Sequence, residues 1–246
     1  MNDTLIGSWI TLNHPSIAEL MADAGFDWLC VDMEHSVIDY AEAQQLITTI
    51  QAKGIKAFVR VGENNMRIIK RVLDAGADGI IVPMVNSKAD AIKAINAVKY
   101  PPIGQRGVGL ARAQKYGFGF NDYKDNYAKD IKLIVQIEHL DAINNLEEIL
   151  SLVHIDGTFI GPYDLSGSLN VPGEWGHPDV INALDKVKKV ISNHKKPGGF
   201  HVVHSNHKEL EQRIIEGYTF IAYGDDMVFF AEAIASNADF IFSLKE

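Results

Sequence analysis

The sequence predicts a (β/α)8 TIM barrel, and three observations carry that prediction. Short apolar runs of strand length alternate with stretches whose apolar residues recur at helical spacing, eight times along the chain. Glycines stand just past several helical stretches (Gly25, Gly54, Gly76), where they act as C-terminal caps. The 246 residues, 47% of them hydrophobic, are enough for one sizeable core and suit one barrel. A doubly wound open sheet is the alternative. It needs a phosphate-binding glycine turn after the first strand, and Gly7-Ser8-Trp9 is not one. With no linker or low-complexity segment, a single domain over residues 1–246 is expected.

Taken in order, Leu5–Ile10 is a strand and Pro15–Ala24 a helix closed by Gly25. Asp27–Asp32 is the second strand, followed by Glu34-His35-Ser36 and the helix Tyr40–Lys53. Ile55–Val61 is the third strand, with helix Met66–Ala75; Asp78–Pro83 is the fourth, with helix Ala89–Val98. Tyr100–Asp130 then breaks the rhythm. Leu133–Glu138 and Thr158–Ile160 are strands five and six, joined by a helix over Ala142–Leu152. Helix Val180–Asn193, strand Gly198–Val203, helix Lys208–Glu216, strand Tyr218–Tyr223 and a last helix beginning at Met227–Ala235 complete the pattern.

The stretch Lys132–Leu165 organises the chemistry. Alternation along Leu133–Glu138 puts Gln136 and Glu138 on one face. A right-handed βαβ crossover then brings Glu138 and Asp164 to the same end of neighbouring parallel strands. Two carboxylates there suit a hard divalent cation. The competing reading is that both acids only cap the helices that follow.

In a barrel, chemistry belongs on the loops after the strands. Those ends carry Trp9 and His14; Asp32, Glu34 and His35; Arg60; Met84; Glu138; Asp164; His204; Asp225 and Asp226. His35 is placed for proton transfer, or else is a surface or capping histidine. Arg60 suits a carboxylate or enolate oxygen, or else pairs with a neighbouring strand-end acid. His201 and His204, three apart on a strand, face opposite sides and cannot share a metal, so His201 reads as structural and His204 as a rim residue. A Schiff-base aldolase needs a lysine at the top of a strand. Lys56 and Lys132 sit at strand beginnings instead, and Gly224-Asp225-Asp226 puts acids where a phosphate site would be. Metal chemistry and an unphosphorylated substrate follow.

The net charge of -9 argues against nucleic-acid or acidic-membrane partners. The lone Cys30, inside an apolar run, excludes an internal disulfide and reads as buried and inert. No signal-peptide core opens the chain and no stretch approaches a membrane span, so a cytoplasmic protein is expected.

The chain resembles the HpcH/HpaI family of metal-dependent (class II) pyruvate aldolases over nearly its whole length. The resemblance rests on Val31-Asp32-Met33-Glu34-His35, Val59-Arg60, Leu73-Asp74-Ala75-Gly76, Val82-Pro83-Met84-Val85, Gly104-Gln105-Arg106-Gly107-Val108-Gly109, Gln136-Ile137-Glu138 and Phe159–Ser166. It implies a (β/α)8 barrel that cleaves 4-hydroxy-2-oxo acids to pyruvate and an aldehyde with Mg2+, Mn2+ or Co2+. It implies metal ligands at Glu138 and Asp164, a base at His35 and an enolate-stabilising Arg60. It also implies substrate contacts from Gln136, Tyr163 and Asp164, and an acid, Asp74, paired with the base. Asp74 ends the third helix, toward the bottom of its own barrel. It would reach a site by a bend or from a neighbouring subunit, or only cap structure, with Asp32 as the local partner for His35. Two departures stand out: Tyr163, where the family has a small residue, and the histidine-rich Phe200–His204.

The insert at about 100–130 reads as a lid or a subunit contact. The apolar C-terminal helix reads as an interface of a homo-oligomer, a hexamer or trimer of dimers, or as a buried barrel helix. A citrate-lyase-like cleavage of a CoA thioester, an oxo-acid decarboxylase or tautomerase, and a metabolite sensor are the other function classes. The acid-rich rim disfavours the CoA phosphates of the first.

Overall fold

In the computed structural model, which describes residues 4–245, eight parallel strands close into a barrel in sequence order. Residues 1–3 and 246 of the expected domain lie outside the described residues. The strands are β1 (Leu5–Ile10), β2 (Trp28–Asp32), β3 (Lys56–Arg60), β4 (Gly79–Val82), β5 (Lys132–Ile137), β6 (Gly157–Ile160), β7 (Gly198–Val202) and β8 (Phe220–Asp225). β8 pairs with β1, Leu5 opposite Phe220, and closes the ring. The (β/α)8 prediction is met.

Helices α1 (Pro15–Asp23), α2 (Tyr40–Ala52), α3 (Met66–Ala75) and α4 (Lys88–Val98) follow the first four strands. The insert carries short turns that include α5 (Phe120–Asp122) and α6 (Ala128–Asp130). α7 (Leu140–Asn144) and α8 (Leu146–Leu150) follow β5, and α9 (Pro162–Ser168) and α10 (Pro178–His194) follow β6. α11 (His207–Ile215) follows β7 and α12 (Asp226–Ser243) follows β8. None of these helices is long and apolar enough to cross a membrane.

The barrel interior is filled by rings, and glycines make the room. Trp28 stacks on Phe220 at 4.2 Å, with Phe58 and Phe159 edge-on around them. A methyl group at Gly7 would overlap the Trp28 ring, one at Gly79 the Phe58 ring, and one at Gly199 the Phe159 ring. Large and small side chains therefore alternate across the axis at close packing. This plug closes the barrel below the mouth, so the polar strand ends above it share one pit.

Four local expectations change. The helix expected over Ala142–Leu152 breaks at Asn145, whose amide donates to the Asn86 carbonyl at 2.8 Å and ties it to the β4–α4 loop. α9 is a helix that the apolar spacing does not announce, although Pro162 at its first turn is a start signal. The insert is not structureless. It runs against the strand beginnings, where Arg106 is fully buried and donates to Asp74 Oδ1 (2.8 Å) and the Tyr123 hydroxyl (3.0 Å). α12 is not a buried barrel helix either. Phe229 near its start packs on Phe26 and Tyr223, while Met227, Phe230, Ile234 and Phe240 are exposed.

Candidate active site at the barrel mouth

Asp32 and Arg60 occupy paired positions at the ends of β2 and β3. Arg60 donates from Nε to Asp32 Oδ1 at 2.9 Å and from Nη2 to Oδ2 at 2.5 Å. Its guanidinium lies over the Trp9 ring at 4.4 Å, with Glu34 Oε2 3.4 Å from Nε. Burial pushes the Asp32 carboxyl up, but the hydrogen bonds and charge of Arg60 outweigh it and hold Asp32 below its ordinary pKa. The ion-pair alternative for Arg60 is thus what one chain shows, and it orients the arginine in the mouth. Among the described residues, Nη1 has no hydrogen-bond partner, so that edge remains free for a ligand.

Glu34, one of the strand-end acids of the sequence, has surroundings that the sequence did not signal. Burial raises its pKa to about 7; Arg60 opposes the rise, while Glu138, Asp32 and Asp164 add to it. Its Oε2 is closed to solvent and makes no hydrogen bond. His35, at the exposed edge, places Nε2 3.7 Å from that oxygen. Among the described residues Glu34 is the acid within 4 Å of the His35 ring, beyond hydrogen-bond distance. Asp32, the local alternative, accepts from the backbone N–H groups of Glu34 (3.0 Å) and His35 (3.2 Å) and from Arg60, with no bond to the His35 ring among the described residues.

On β5, Gln136 and Glu138 share one face as the alternation requires, and the Gln136 amide donates to Glu138 Oε2. The other oxygen accepts from the backbone N–H of Met84 at 2.8 Å. Met84 holds a left-handed φ of 52°, a strained conformation that aims this N–H inward. Gly161 lies against the Glu138 carboxylate, where a methyl group would come within 2.8 Å of Oε2. Neither acid is an N-cap residue, although Asp164 stands in the first turn of α9, where a negative charge favours the helix. His139 caps α7 and Gly161 precedes α9, with no side-chain cap on the latter. Burial raises the pKa of Glu138, and the Asp164 charge adds to the rise, while the bonds from Met84 and Gln136 oppose it.

Two carboxylates, Asp32 and Glu34, thus lie within 4 Å of Arg60, and Glu138 and Asp164 stand in the neighbouring part of the same barrel mouth. Glu34 Oε2 and Gln136 Oε1 are buried without partners. Acidic side chains with unsatisfied acceptors suit a hard divalent cation, and Glu138 and Asp164 are the residues that could hold one. Among the described residues no group of three or more His, Cys, Asp or Glu converges as a closed cage. A cation held by two carboxylates keeps positions open for water or substrate. The lysines with lowered pKa sit elsewhere, through burial: Lys99 on the Ile131 carbonyl and Lys196 on those of Leu152 and Ile155, all ahead of strands.

Asp74 is not brought to this mouth within one chain. It ends α3 beside the insert, held by Arg106 and by Gln114 (3.3 Å). Tyr163 is exposed next to Asp164, its ring edge-on to Trp175 at 4.7 Å. His204 is on the rim near Glu232 (4.0 Å), but His201 turns inward, against Trp9 at 5.6 Å. A cavity of about 930 Å3 lies at the opposite end between strand beginnings and insert, away from these groups.

A 2-keto-3-deoxy-L-rhamnonate aldolase of Klebsiella pneumoniae subsp. pneumoniae is 36% identical over 234 residues, covering 94% of this chain and 86% of that protein. One from Salmonella gallinarum is 35% identical over 236 residues, covering 95% and 87%. A solved HpcH/HpaI aldolase/citrate lyase family protein from Burkholderia cenocepacia J2315 superimposes with a TM-score of 0.91 at 30% identity, covering 97% of this chain and 95% of that one. An HpcH/HpaI aldolase from Desulfitobacterium hafniense DCB-2 gives 0.89 at 25% identity, covering 97% and 93%. The sequence profile of HpcH/HpaI aldolase/citrate lyase matches residues 5–233, and the chain belongs to that family.

Proposed function

We propose that the mouth carries out reversible aldol cleavage of a 4-hydroxy-2-oxo acid to pyruvate and an aldehyde, with a 2-keto-3-deoxy sugar acid as the substrate class. The observation that carries this reading is the buried Glu138, held by Met84 and Gln136, together with the oriented Arg60 at strand ends that bear no lysine. The curated relatives are named for cleaving such an acid. Glu138 and Asp164 would hold Mg2+, Mn2+ or Co2+, which supplies Lewis acidity toward the 2-keto oxygen when bound. Arg60 donates from its free edge to that oxygen as negative charge develops on it, stabilising the transition state more than the ground state. Asp32 fixes the guanidinium so that little reorganisation is needed. His35, with Glu34 beside it, moves the proton between the C4 hydroxyl and solvent. Backbone N–H groups of Tyr163 and Asp164 at the start of α9, together with Gln136, face the pyruvate carboxylate.

The functional unit in this reading is a homo-oligomer, a hexamer or trimer of dimers. The exposed apolar residues of α12 are the surface a second copy would cover. Asp74 keeps a catalytic role only if it reaches the mouth of such a copy. Light scattering of the wild type and of Phe230→Asp tests the assembly: a smaller species for the variant supports it. Pyruvate release from a panel of 4-hydroxy-2-oxo acids, with and without EDTA, tests the reaction. Release abolished by EDTA and restored by Mn2+ supports it, whereas release unaffected by chelation overturns the metal assignment.

A further inference from the structure

A cavity of about 430 Å3 opens over the ends of β6 and β7. Tyr163 and Trp175, from the segment after β6, line one side, and His201, Val203 and His204, at and just past the end of β7, line another. The cavity borders the candidate active site at two points. Tyr163 directly precedes Asp164 in the first turn of α9. The His201 ring stands 5.6 Å from that of Trp9, over which the Arg60 guanidinium lies at 4.4 Å. A volume of this size falls within the range of about 300–1,000 Å3 usual for small-molecule sites, and a two-carbon aldehyde leaves most of it unfilled.

The lining decides what chemistry suits the space. Tyr163 is 47% exposed, and its ring meets the half-buried Trp175 edge to face at 4.7 Å. That contact fixes an aromatic side chain that would otherwise turn freely, and leaves its ring open to the cavity. The surrounding charge is largely committed. Arg213 pairs with Glu209 (3.2 Å) and Glu216 (3.0 Å). Burial, and then the charge of Arg60, lowers the pKa of His201 to about 3, so its ring is neutral. Lys208, in the first turn of α11, is a lining cation with no ion pair among the described residues. A ring face is apolar surface for C–H bonds, and its quadrupole disfavours an anion laid upon it.

Resting on the aldolase reading above, we propose that this cavity receives the aldehyde portion of the substrate and that Tyr163, held by Trp175, is its specificity-determining residue. The C–H face of the aldehyde chain lies along the Tyr163 ring. The enzyme therefore favours neutral aldehydes of four or five carbons over acetaldehyde and over aldehydes that end in a carboxylate.

The test is aldol addition of pyruvate, with Mn2+ present, to acetaldehyde, propanal, butanal and pentanal, which vary length without adding polar groups. A fully buried methylene is worth about 4-fold in binding, so wild-type kcat/KM is expected to rise by about 2- to 4-fold per carbon. Tyr163→Ala should flatten the series, and Tyr163→Phe, which keeps the ring, should retain it. Trp175→Leu, which removes only the brace, should fall between them. Each comparison is a ratio within one protein, so a general loss of activity in a variant does not disturb it. A wild-type series that fails to rise overturns the proposal, as does a rise in Tyr163→Ala as steep as that of the wild type or steeper. A higher kcat/KM for succinic semialdehyde than for pentanal gives the choice to Lys208 and overturns it too. Exchange of the pyruvate methyl protons with D2O separates the two levels. Wild-type exchange with a flat series removes only the role of Tyr163, whereas absence of exchange removes the aldolase reading and this inference with it.

Discussion

Arg60 and Asp32, opposite one another on β3 and β2, are joined by two N–H···O bonds of 2.9 and 2.5 Å in a largely buried setting. A buried pair of this kind is weak support for stability when intact and costly when halved. Asp32→Ala leaves the guanidinium charge uncompensated and is expected to lower unfolding free energy by about 3–5 kcal/mol. Replacing both, as Asp32→Leu with Arg60→Met, should restore most of that loss while leaving no activity. Denaturant unfolding of the three proteins checks it. A double variant as unstable as Asp32→Ala would show that packing, rather than charge, sets the cost.

Glu138→Gln and Asp164→Asn should each remove most affinity for Mn2+ and most activity while the barrel still folds. In Glu138→Gln the new amide oxygen can still accept from the Met84 N–H, and the Gln136 amide, whose own oxygen lacks a partner, can turn to accept from the new N–H group. Asp164 is exposed, so neither change leaves a buried orphan of consequence. Calorimetric titration with Mn2+ and far-ultraviolet circular dichroism are the measurements. Stoichiometric binding retained in both variants sinks the ligand assignment.

Much of this architecture was legible in the sequence because it depends on local rules. Period-2 alternation placed Gln136 and Glu138 on one face, and their side chains meet accordingly, while the crossover rule put Asp164 at the same end of the barrel, in the first turn of α9. What was not legible depends on depth. Nothing in the string Glu34-His35 says that Glu34 turns inward and His35 outward. The inward turn of His201 follows from its parity with Gly199, but alternation alone does not tell which parity faces the axis. Asp74 was legible only through the family resemblance, and its neighbours in one chain, Arg106 and Gln114, come from the insert, whose path no periodicity predicts.

The pH dependence of stability should carry the mark of His201. Its pKa is lowered to about 3 in the folded protein, against about 6.5 for an unfolded histidine. Above pH 6.5 neither state binds the proton and the residue contributes nothing. As pH falls from 6.5 toward 3 the unfolded chain takes up a proton that the folded one refuses, so stability is lost across that window. His201→Leu should flatten the acid limb of a plot of melting temperature against pH between about 6.5 and 4. An unchanged slope would mean that the ring protonates freely in the folded state.

His35, Glu34 and Arg60 should fail in different ways. Arg60 serves the enolate, which every reaction of this mouth must form, so Arg60→Ala should abolish exchange of pyruvate methyl protons with D2O as well as cleavage. Loss of one charge-assisted donor to a developing oxyanion costs about 3–4 kcal/mol, on the order of 10²–10³ in rate. His35 serves proton transfer at the C4 hydroxyl, a step worth roughly 10²–10⁴. Its Ala variant should lose cleavage more than exchange. Glu34 complicates the pH profile, because its pKa of about 7 makes it neutral below that pH and charged above it. If His35 carries the proton and Glu34 only tunes it, Glu34→Gln shifts the acid limb of the rate profile while His35→Ala removes it. If Glu34 is itself the base, Glu34→Gln removes the limb and His35→Ala leaves it in place. Rate profiles between pH 5 and 9 at saturating Mn2+ decide between the two, and wild-type exchange in Arg60→Ala would reduce that arginine to the structural partner of Asp32.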